Sequence, residues 1–215
     1  MRHPVSGHPA NPGTARGPHC HGVPTNVPVK RIKSNWHQTE RNIAREKDFD
    51  DRASALAFII WRIALEGAKD LHRERYNYAS DPQRAAVIAE FVAFLLHCSD
   101  RLVYDMVDNE EREVFVNLLG RRLADHMQDN LADLFGPGDY RPSFIANLNE
   151  RLTTYATLTF RAGEPGYDML RYFGDSVLRI LGSDQTNKWV IDQIMEQAGP
   201  DAFKHLKKNL PNVMA

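Results

Sequence analysis

The stretch that decides the fold runs from Arg84 to Val107 and reads RAAVIAEFVAFLLHCSDRLVYDMV. Its apolar residues fill most of a helical wheel and leave one narrow polar sector, about 40° wide, which holds Glu90, His97 and Arg101. A helix with so wide an apolar arc contacts neighbouring helices on three sides. The sequence therefore predicts a central helix of a bundle.

The polar sector of this helix allows two interpretations. In the first, which the wheel favours, Glu90, His97 and Arg101 form a narrow face exposed to water, with ordinary contacts at i,i+4 and i,i+7 spacing. In the second, the same three residues line a cleft between helices and bind a small ligand. Whether His97 is buried separates the two interpretations.

A divalent metal is a weaker alternative for the same helix. Di-metal carboxylate bundles place Glu-x-x-His pairs on facing helices, and this sequence contains no Glu-x-x-His. The nearest substitute combines Glu90 and His97 with His126 and Asp129 of a later helix. Because His126 and Asp129 lie opposite the leucine-rich side of that helix, a solvated face explains them better. No cofactor is predicted, and a divalent metal at these four residues stays the alternative.

Helix start and stop signals recur on both sides of the central stretch. Ser80 and Pro82 form a start signal, because a capping side chain is followed by proline in the first turn. Asp108 caps the next helix, and Gly136 followed by Pro137 ends it. Together these signals predict six helices, which begin near Asp50, Asp81, Asn109, Ser143, Asp168 and Ser183/Asp184, and the last five end near Val107, Gly136, Phe160, Leu181 and Ala198.

These elements predict an all-α fold, a single bundle of five to six helices over residues 48–215 whose first three helices are long and antiparallel. Gly199 and Pro200 are expected to break the sixth helix before a short terminal turn that ends at Lys208. No run of alternating apolar and polar residues predicts a β-sheet. Surplus aromatic residues in the last third would form a groove for a partner helix or a small apolar ligand.

The amino-terminal part of the chain differs from the rest in composition. Residues 1–29 hold six of the twelve prolines and four of the thirteen glycines, which predicts a disordered tail rich in Pro, Gly and His. Residues 30–47 form a basic lead-in to the first helix. Eight basic and two acidic residues precede residue 48, whereas nineteen basic and twenty-six acidic residues follow. A basic arm thus precedes an acidic body, and such an arm can dock on the body, on another copy or on an anionic partner.

Four residues of the lead-in are the candidates for nucleic-acid binding. Lys30, Arg31 and Lys33 can pair with phosphates, and Trp36 supplies one ring for stacking on a base. The acidic body and the lack of a helix-turn-helix pattern count against this function. Nucleic-acid binding is therefore the third-ranked hypothesis.

The leading hypothesis is a non-enzymatic helical interaction or regulatory module that binds a protein partner or itself as a homo-oligomer. It leads because no nucleophile elbow, phosphate-binding loop or dinucleotide fingerprint is present. The alternative is a metal- or small-ligand-binding bundle, with or without catalysis, centred on Glu90, His97 and Arg101. Two cysteines and no apolar run long enough to cross a bilayer favour a cytoplasmic protein without membrane partners.

Overall fold

The computed structural model describes the backbone of residues 40–182 and 189–215, and the side chains of 48–182 and 189–215. Within these ranges the chain is almost entirely helical, as the sequence predicts. Two very short strands form one hairpin, and a π-helical turn, Ile194–Ala198, joins the last two helices. In chain order the elements are α1 (Glu40–Arg73), α2 (Asp81–Val103), α3 (Asn109–Phe135), α4 (Arg141–Tyr155), β1 (Phe160–Arg161), β2 (Glu164–Pro165), α5 (Tyr167–Leu181), α6 (Val190–Gln193) and α7 (Gly199–Met214).

Helix α2 is the centre of the bundle. Helices α1, α3, α4, α5 and α7 all pack against it, and every residue from Val87 to Asp100 is buried. The three long helices α1, α2 and α3 are joined by short loops and form the predicted antiparallel set. At one crossing α1 and α2 lie so close that a Cβ on Gly67 would meet the ring of Phe91 at 2.5 Å. The all-α bundle is therefore confirmed, and its core is built around the stretch that the sequence singles out.

Local capping signals place two helix starts correctly. The Ser80 side chain accepts a hydrogen bond from the backbone N–H of Gln83 at 3.3 Å. The Asp108 side chain accepts a hydrogen bond from the backbone N–H of Glu111 at 2.8 Å, and the Glu111 carboxylate accepts one from the backbone N–H of Asp108. Each cap satisfies N–H groups that a helix start leaves unpaired. Helix α2 nevertheless ends at Val103, four residues before the predicted Val107.

Two other boundaries differ from the prediction. Helix α1 begins at Glu40 and not near Asp50, so residues 40–47 of the basic lead-in are helical. Helix α4 ends at Tyr155, and the residues after it turn into the hairpin, in which Phe160 pairs with Pro165. The positive φ of Ala162 and Gly163 makes this tight turn. The structure therefore contains one hairpin of two-residue strands where the sequence predicts no β-sheet.

The predicted break at Gly199 and Pro200 does not occur. Proline in the first turn of a helix loses no hydrogen bond, so α7 starts there and continues to Met214, beyond the predicted end at Lys208. Gly199 is needed because a Cβ there would lie 2.7 Å from the carbonyl oxygen of Ile194. The predicted start of the sixth helix at Ser183/Asp184 falls outside the described residues. None of the described helices combines the length and apolar character needed to cross a bilayer.

Candidate functional site

The polar sector of α2 lies inside the bundle, and its interpretation as a water-exposed face is wrong. Glu90 and His97 are each only 1% exposed. Helices α4 and α5 pack over this side of α2 and replace the water that the wheel assigned to it. We therefore describe the sector as a buried polar site, formed by Glu90 and His97 of α2 with Arg151 and Tyr155 of α4.

At one end of the site Glu90 is paired with Arg151. The Arg151 Nε donates to both carboxylate oxygens, at 2.7 and 2.9 Å. Burial raises the pKa of the Glu90 carboxyl, while the hydrogen bond and charge of Arg151 and the charge of Arg179 oppose the rise. A buried carboxylate is tolerated only with such a partner. Glu90 is thereby bound within the protein and is not free to take a ligand.

His97 occupies the middle of the site and has no such partner. Neither Nδ1 nor Nε2 makes a hydrogen bond with a described residue. The imidazole stacks on the ring of Tyr155, with centroids 5.4 Å apart and planes 21° apart. Burial, aided by the positive charge of Arg101, lowers the pKa of His97 to about 3. At neutral pH His97 is therefore an uncharged ring with one donor and one acceptor, both unused.

The hydroxyl of Tyr155 is likewise buried and without a hydrogen-bond partner among the described residues. Its ring is enclosed by His97, by Phe94 at 6.2 Å and by Tyr172 at 5.1 Å between centroids. Burial raises the pKa of this phenol well above its usual value. Tyr155 thus keeps its proton, so the site holds two neutral donors, one on His97 and one on Tyr155.

Positive charge surrounds these two neutral groups. Arg101 is half-buried one turn beyond His97, with its guanidinium carbon 5.9 Å from the centre of the Phe160 ring. Arg151 and Arg179 lie on the covering helices, and Arg179 sits over the Tyr172 ring at 5.9 Å. The charges of Arg151 and Arg179 act on the carboxylate of Glu90, and the charge of Arg101 acts on His97. The electrostatic field of the site favours an anion.

A second buried ion pair lies further along α2. The Arg112 Nε donates to Asp100 at 2.8 Å, and both side chains are almost wholly buried, at 2% and 1% exposure. The Arg112 guanidinium also lies 5.1 Å from the centre of the Tyr104 ring. This pair joins the end of α2 to the first turns of α3, and it has a structural explanation without a ligand.

The candidate metal residues do not come together. His126 is half-buried on α3 and stacks on Trp61 of α1, with centroids 5.7 Å apart, while Asp129 is exposed. Across the residues that the structure describes, no group of three or more His, Cys, Asp or Glu side chains could hold a metal ion. The structure therefore does not join Glu90 and His97 to His126 and Asp129 in one site.

Two further features have simple outcomes. Cys98 follows His97 in the chain and is completely buried, and burial raises the pKa of its thiol well above the usual value, so it packs as a small apolar residue. The nucleic-acid candidates, namely Lys30, Arg31, Lys33 and Trp36, lie outside the described residues.

Sequence reasoning missed Arg151 as a site residue and treated Tyr155 as one of many core aromatics. Nothing near Arg151 in the sequence distinguishes it from a surface arginine, because its partner Glu90 is 61 residues away. Comparison with protein-family models, curated proteins and solved structures gives no match to this chain. A function must therefore be inferred from the geometry of the buried polar site.

Proposed function

We propose that this protein is a small-ligand-binding helical bundle, and that its ligand is a small carboxylate held at His97 and Tyr155. The observation that carries the proposal is the burial of His97 with both ring nitrogens unpartnered among the described residues. Buried polar groups are nearly always hydrogen-bonded, and leaving one unpaired costs about 1–3 kcal/mol. A bound ligand that supplies the missing hydrogen-bond partner of His97 removes this cost.

The chemistry of the open groups favours a carboxylate as the guest. Neutral His97 offers one N–H, and protonated Tyr155 offers one O–H. A carboxylate accepts hydrogen bonds through both oxygens and carries the negative charge that nearby Arg101 favours. A cation would meet the positive charges of Arg101 and Arg151, and its natural partner, Glu90, is already bound by Arg151.

The guest must be small. Five clefts among the described residues have volumes from about 330 to about 780 Å³, and neither His97 nor Tyr155 lines any of these five. Aromatic rings of Phe94, Phe173 and Tyr172 fill the neighbouring space. Formate and acetate, two of the smallest carboxylates, are therefore the probes chosen for this position, and benzoate is the larger comparison.

Thermal unfolding of the full chain tests the proposal with defined probes. A ligand that binds only the folded state raises the midpoint temperature by mass action. Formate or acetate should raise the midpoint above that in sodium chloride at equal ionic strength. Acetamide, which lacks the charge, and benzoate, which is larger, should not. If neither formate nor acetate raises the midpoint at concentrations up to about 100 mM, the carboxylate site does not exist.

Two variants distinguish binding at this site from a general salt effect. Tyr155→Phe and His97→Leu each remove a proposed donor and should abolish the rise caused by acetate. The matched control is Tyr78→Phe, since Tyr78 is a partly buried tyrosine whose hydroxyl already donates to the carbonyl of Ala68 at 2.8 Å. The control should keep the full response. An equal response in all three variants would place the anion elsewhere and contradict the proposal.

The other functions that the sequence suggests stay predictions. Binding of a protein partner or of a second copy is supported by exposed aromatic residues, among them Phe58, Tyr167 and Trp189 at 53%, 68% and 77% exposure. Nucleic-acid binding depends on residues 30–36, which are outside the described part of the chain. Cytoplasmic location stays an expectation from composition.

A further inference from the structure

A long surface groove separates α1 from the carboxy-terminal helices, on a different part of the molecule from the buried site. One wall is α1 from Phe58 to Glu74, and the other is formed by the π-helical turn and α7 from Gln197 to Asn209. Its volume is about 700 Å³. A second cleft of about 330 Å³ shares Glu74 and Gln197 with it and continues to Trp189. We call the two together the α1–α7 groove.

Apolar side chains of both walls lie among polar ones in the lining of the groove, and large exposed rings stand at its ends. Ile63 and Ala198 contribute to its lining, and Phe58 and Trp189 stand at opposite ends, 53% and 77% exposed. The wall from Phe58 to Glu74, the residue after α1, extends over sixteen residue steps, which is roughly 24 Å of helix. Exposed aromatic residues at the ends of an apolar groove are typical of sites that receive a segment of another protein.

The charge of the groove is negative towards Trp189. Asp192, Glu196 and Asp201 form no salt bridge with any described residue, and all three line the groove. Two of the three cations on the α1 wall are compensated, because Lys69 and Arg73 pair with Glu66 and Arg73 also contacts Asp70. The third, Arg62, lies 5.9 Å from the centre of the Phe58 ring, at the other end of the groove. An occupant of this groove should therefore be amphipathic and basic.

The lead-in before α1 has this composition. Residues 30–39 read KRIKSNWHQT and carry Lys30, Arg31 and Lys33 without any acidic residue. Ile32 and Trp36 supply two apolar side chains four positions apart. Cations placed near Trp189 would gain both carboxylate partners and the face of an indole ring.

Chain length excludes docking of this segment in its own groove. Glu40 and Phe58 are eighteen residues apart on one helix, or roughly 27 Å. Trp36 is four residues before Glu40 and reaches at most about 14 Å from it, even in an extended chain. Lys30 reaches at most about 36 Å from Glu40, whereas the Glu74 end of the groove, next to Trp189, is roughly 51 Å from Glu40 along α1. If residues 30–39 occupy the whole groove, they therefore come from another molecule.

We propose that residues 30–39 of one copy dock in the α1–α7 groove of a second copy, with Lys30, Arg31 and Lys33 against Asp192, Glu196 and Asp201. Reciprocal exchange of the two arms gives a closed dimer with twofold symmetry. The dimer is held by opposite charges at its ends and by Ile32 and Trp36 against apolar side chains of the groove. High salt weakens the charged contacts and shifts the protein towards monomer.

The mass in solution of the full chain tests this proposal. The wild type should sediment as a dimer of 24.5 kDa chains at micromolar concentration. The arm variant K30E/R31E/K33E and the groove variant D192K/E196K/D201K should each dissociate at least about tenfold more readily, because like charges then face each other. The control D129K/D133K changes two exposed carboxylates on α3 and should remain a dimer.

Mixing the two charge variants gives the sharpest outcome. The acidic arm of K30E/R31E/K33E fits the basic groove of D192K/E196K/D201K. The unchanged basic arm of the groove variant fits the unchanged acidic groove of the arm variant. An equimolar mixture should therefore form a heterodimer although each variant alone is monomeric. A monomeric wild type, a dimer that survives the groove substitutions, or a mixture that stays monomeric would each overturn the proposal. Folded helicity of both variants by circular dichroism shows that loss of the dimer is not loss of the fold.

Discussion

Two rows of ionisable side chains run along neighbouring helices of this bundle and have opposite environments. The row on α2 contains Glu90 and His97, each 1% exposed. The row on α3 contains Arg122 and Asp125, whose side chains are 41% and 38% exposed. On a helical wheel both rows are narrow polar sectors opposite an apolar arc. Their difference shows that amphipathicity locates a polar sector but does not say what covers it.

The α2 row is covered by helices that are distant from it in the sequence. Helices α4 and α5 bring Arg151 and Tyr155 onto Glu90 and His97. The α3 row forms salt bridges with partly exposed side chains: Arg122 pairs with Asp50 of α1, and Asp125 pairs with Arg141. Water screens these pairs, whereas it is excluded from the α2 row. The same residue types should therefore have large energetic effects on α2 and small ones on α3.

The largest expected difference is between two arginine substitutions. Arg151→Met removes the partner of a fully buried carboxylate and should lower the free energy of unfolding by about 3 kcal/mol. Arg122→Met removes a partner of Asp50, a contact of 3.0 Å with side chains 41% and 31% exposed, and should cost no more than about 1 kcal/mol. Urea unfolding at pH 7 measures both values.

The double variant Glu90→Met/Arg151→Met separates the loss of a partner from the loss of packing. Replacing both members of a buried pair by apolar residues should restore most of the stability lost in Arg151→Met. If the double variant is no more stable than Arg151→Met, packing of the arginine and not its charge is the dominant contribution. Equal effects of Arg151→Met and Arg122→Met would remove the distinction between the two rows.

The pH dependence of stability should identify His97. Its pKa is about 3 in the folded protein and about 6.5 in the unfolded chain, so the unfolded state binds a proton first as the pH falls. The stability that His97 contributes is present above pH 6.5 and is lost on acidification. Between pH 7 and pH 5 this loss is about 2 kcal/mol.

The His97 contribution is read from the difference between wild type and His97→Leu. Glu90 acts in the opposite direction, because its raised pKa favours the folded state on acidification, and Arg151 and Tyr155 keep their protons in this range. Both proteins contain these groups, so they cancel in the comparison. His126→Leu on α3 leaves His97 in place and is the control for replacing an imidazole by leucine. A His97→Leu variant with the wild-type slope would contradict the burial of a neutral His97.

The smallest expected effect is that of single hydroxyl groups. Tyr155→Phe removes a buried hydroxyl that has no partner among the described residues, so stability should stay unchanged or rise by about 1 kcal/mol. Tyr78→Phe removes a hydrogen bond to Ala68 and should cost about 1 kcal/mol. Burial raises the pKa of Tyr78 to about 12. Thermal unfolding without added carboxylate compares the two variants, and equal losses would show that the Tyr155 hydroxyl has a partner.

The sequence predicts the class of fold because the signals for helices are local. The caps at Ser80 and Asp108 and the stop at Gly136 act within one turn, and each is confirmed. The start of α1 at Glu40 and the continuation through Gly199 are not predictable from a local pattern. For the same reason the wheel selects Glu90 and His97 as special but assigns them to the wrong environment.

The site residues on the covering helices could not be predicted at all. Arg151 adjoins Glu150, whose side chain is 73% exposed, and this part of α4 has the composition of a surface helix. Tyr155 differs from other core aromatics only in that its hydroxyl lacks a partner, which is a property of the folded structure. Long-range pairing decides function here, and a periodic pattern contains no information about it.

The protonation state of His97 tests the central claim most directly. In the full chain, the nitrogen chemical shifts of the His97 imidazole can be followed by NMR between pH 7.5 and 4.5. We expect a neutral ring throughout this range, because the pKa in the folded protein is about 3, and we expect its shifts to move on addition of acetate at constant pH. A ring that titrates near pH 6.5, as in an unfolded chain, would show that water reaches His97 and would contradict the buried site.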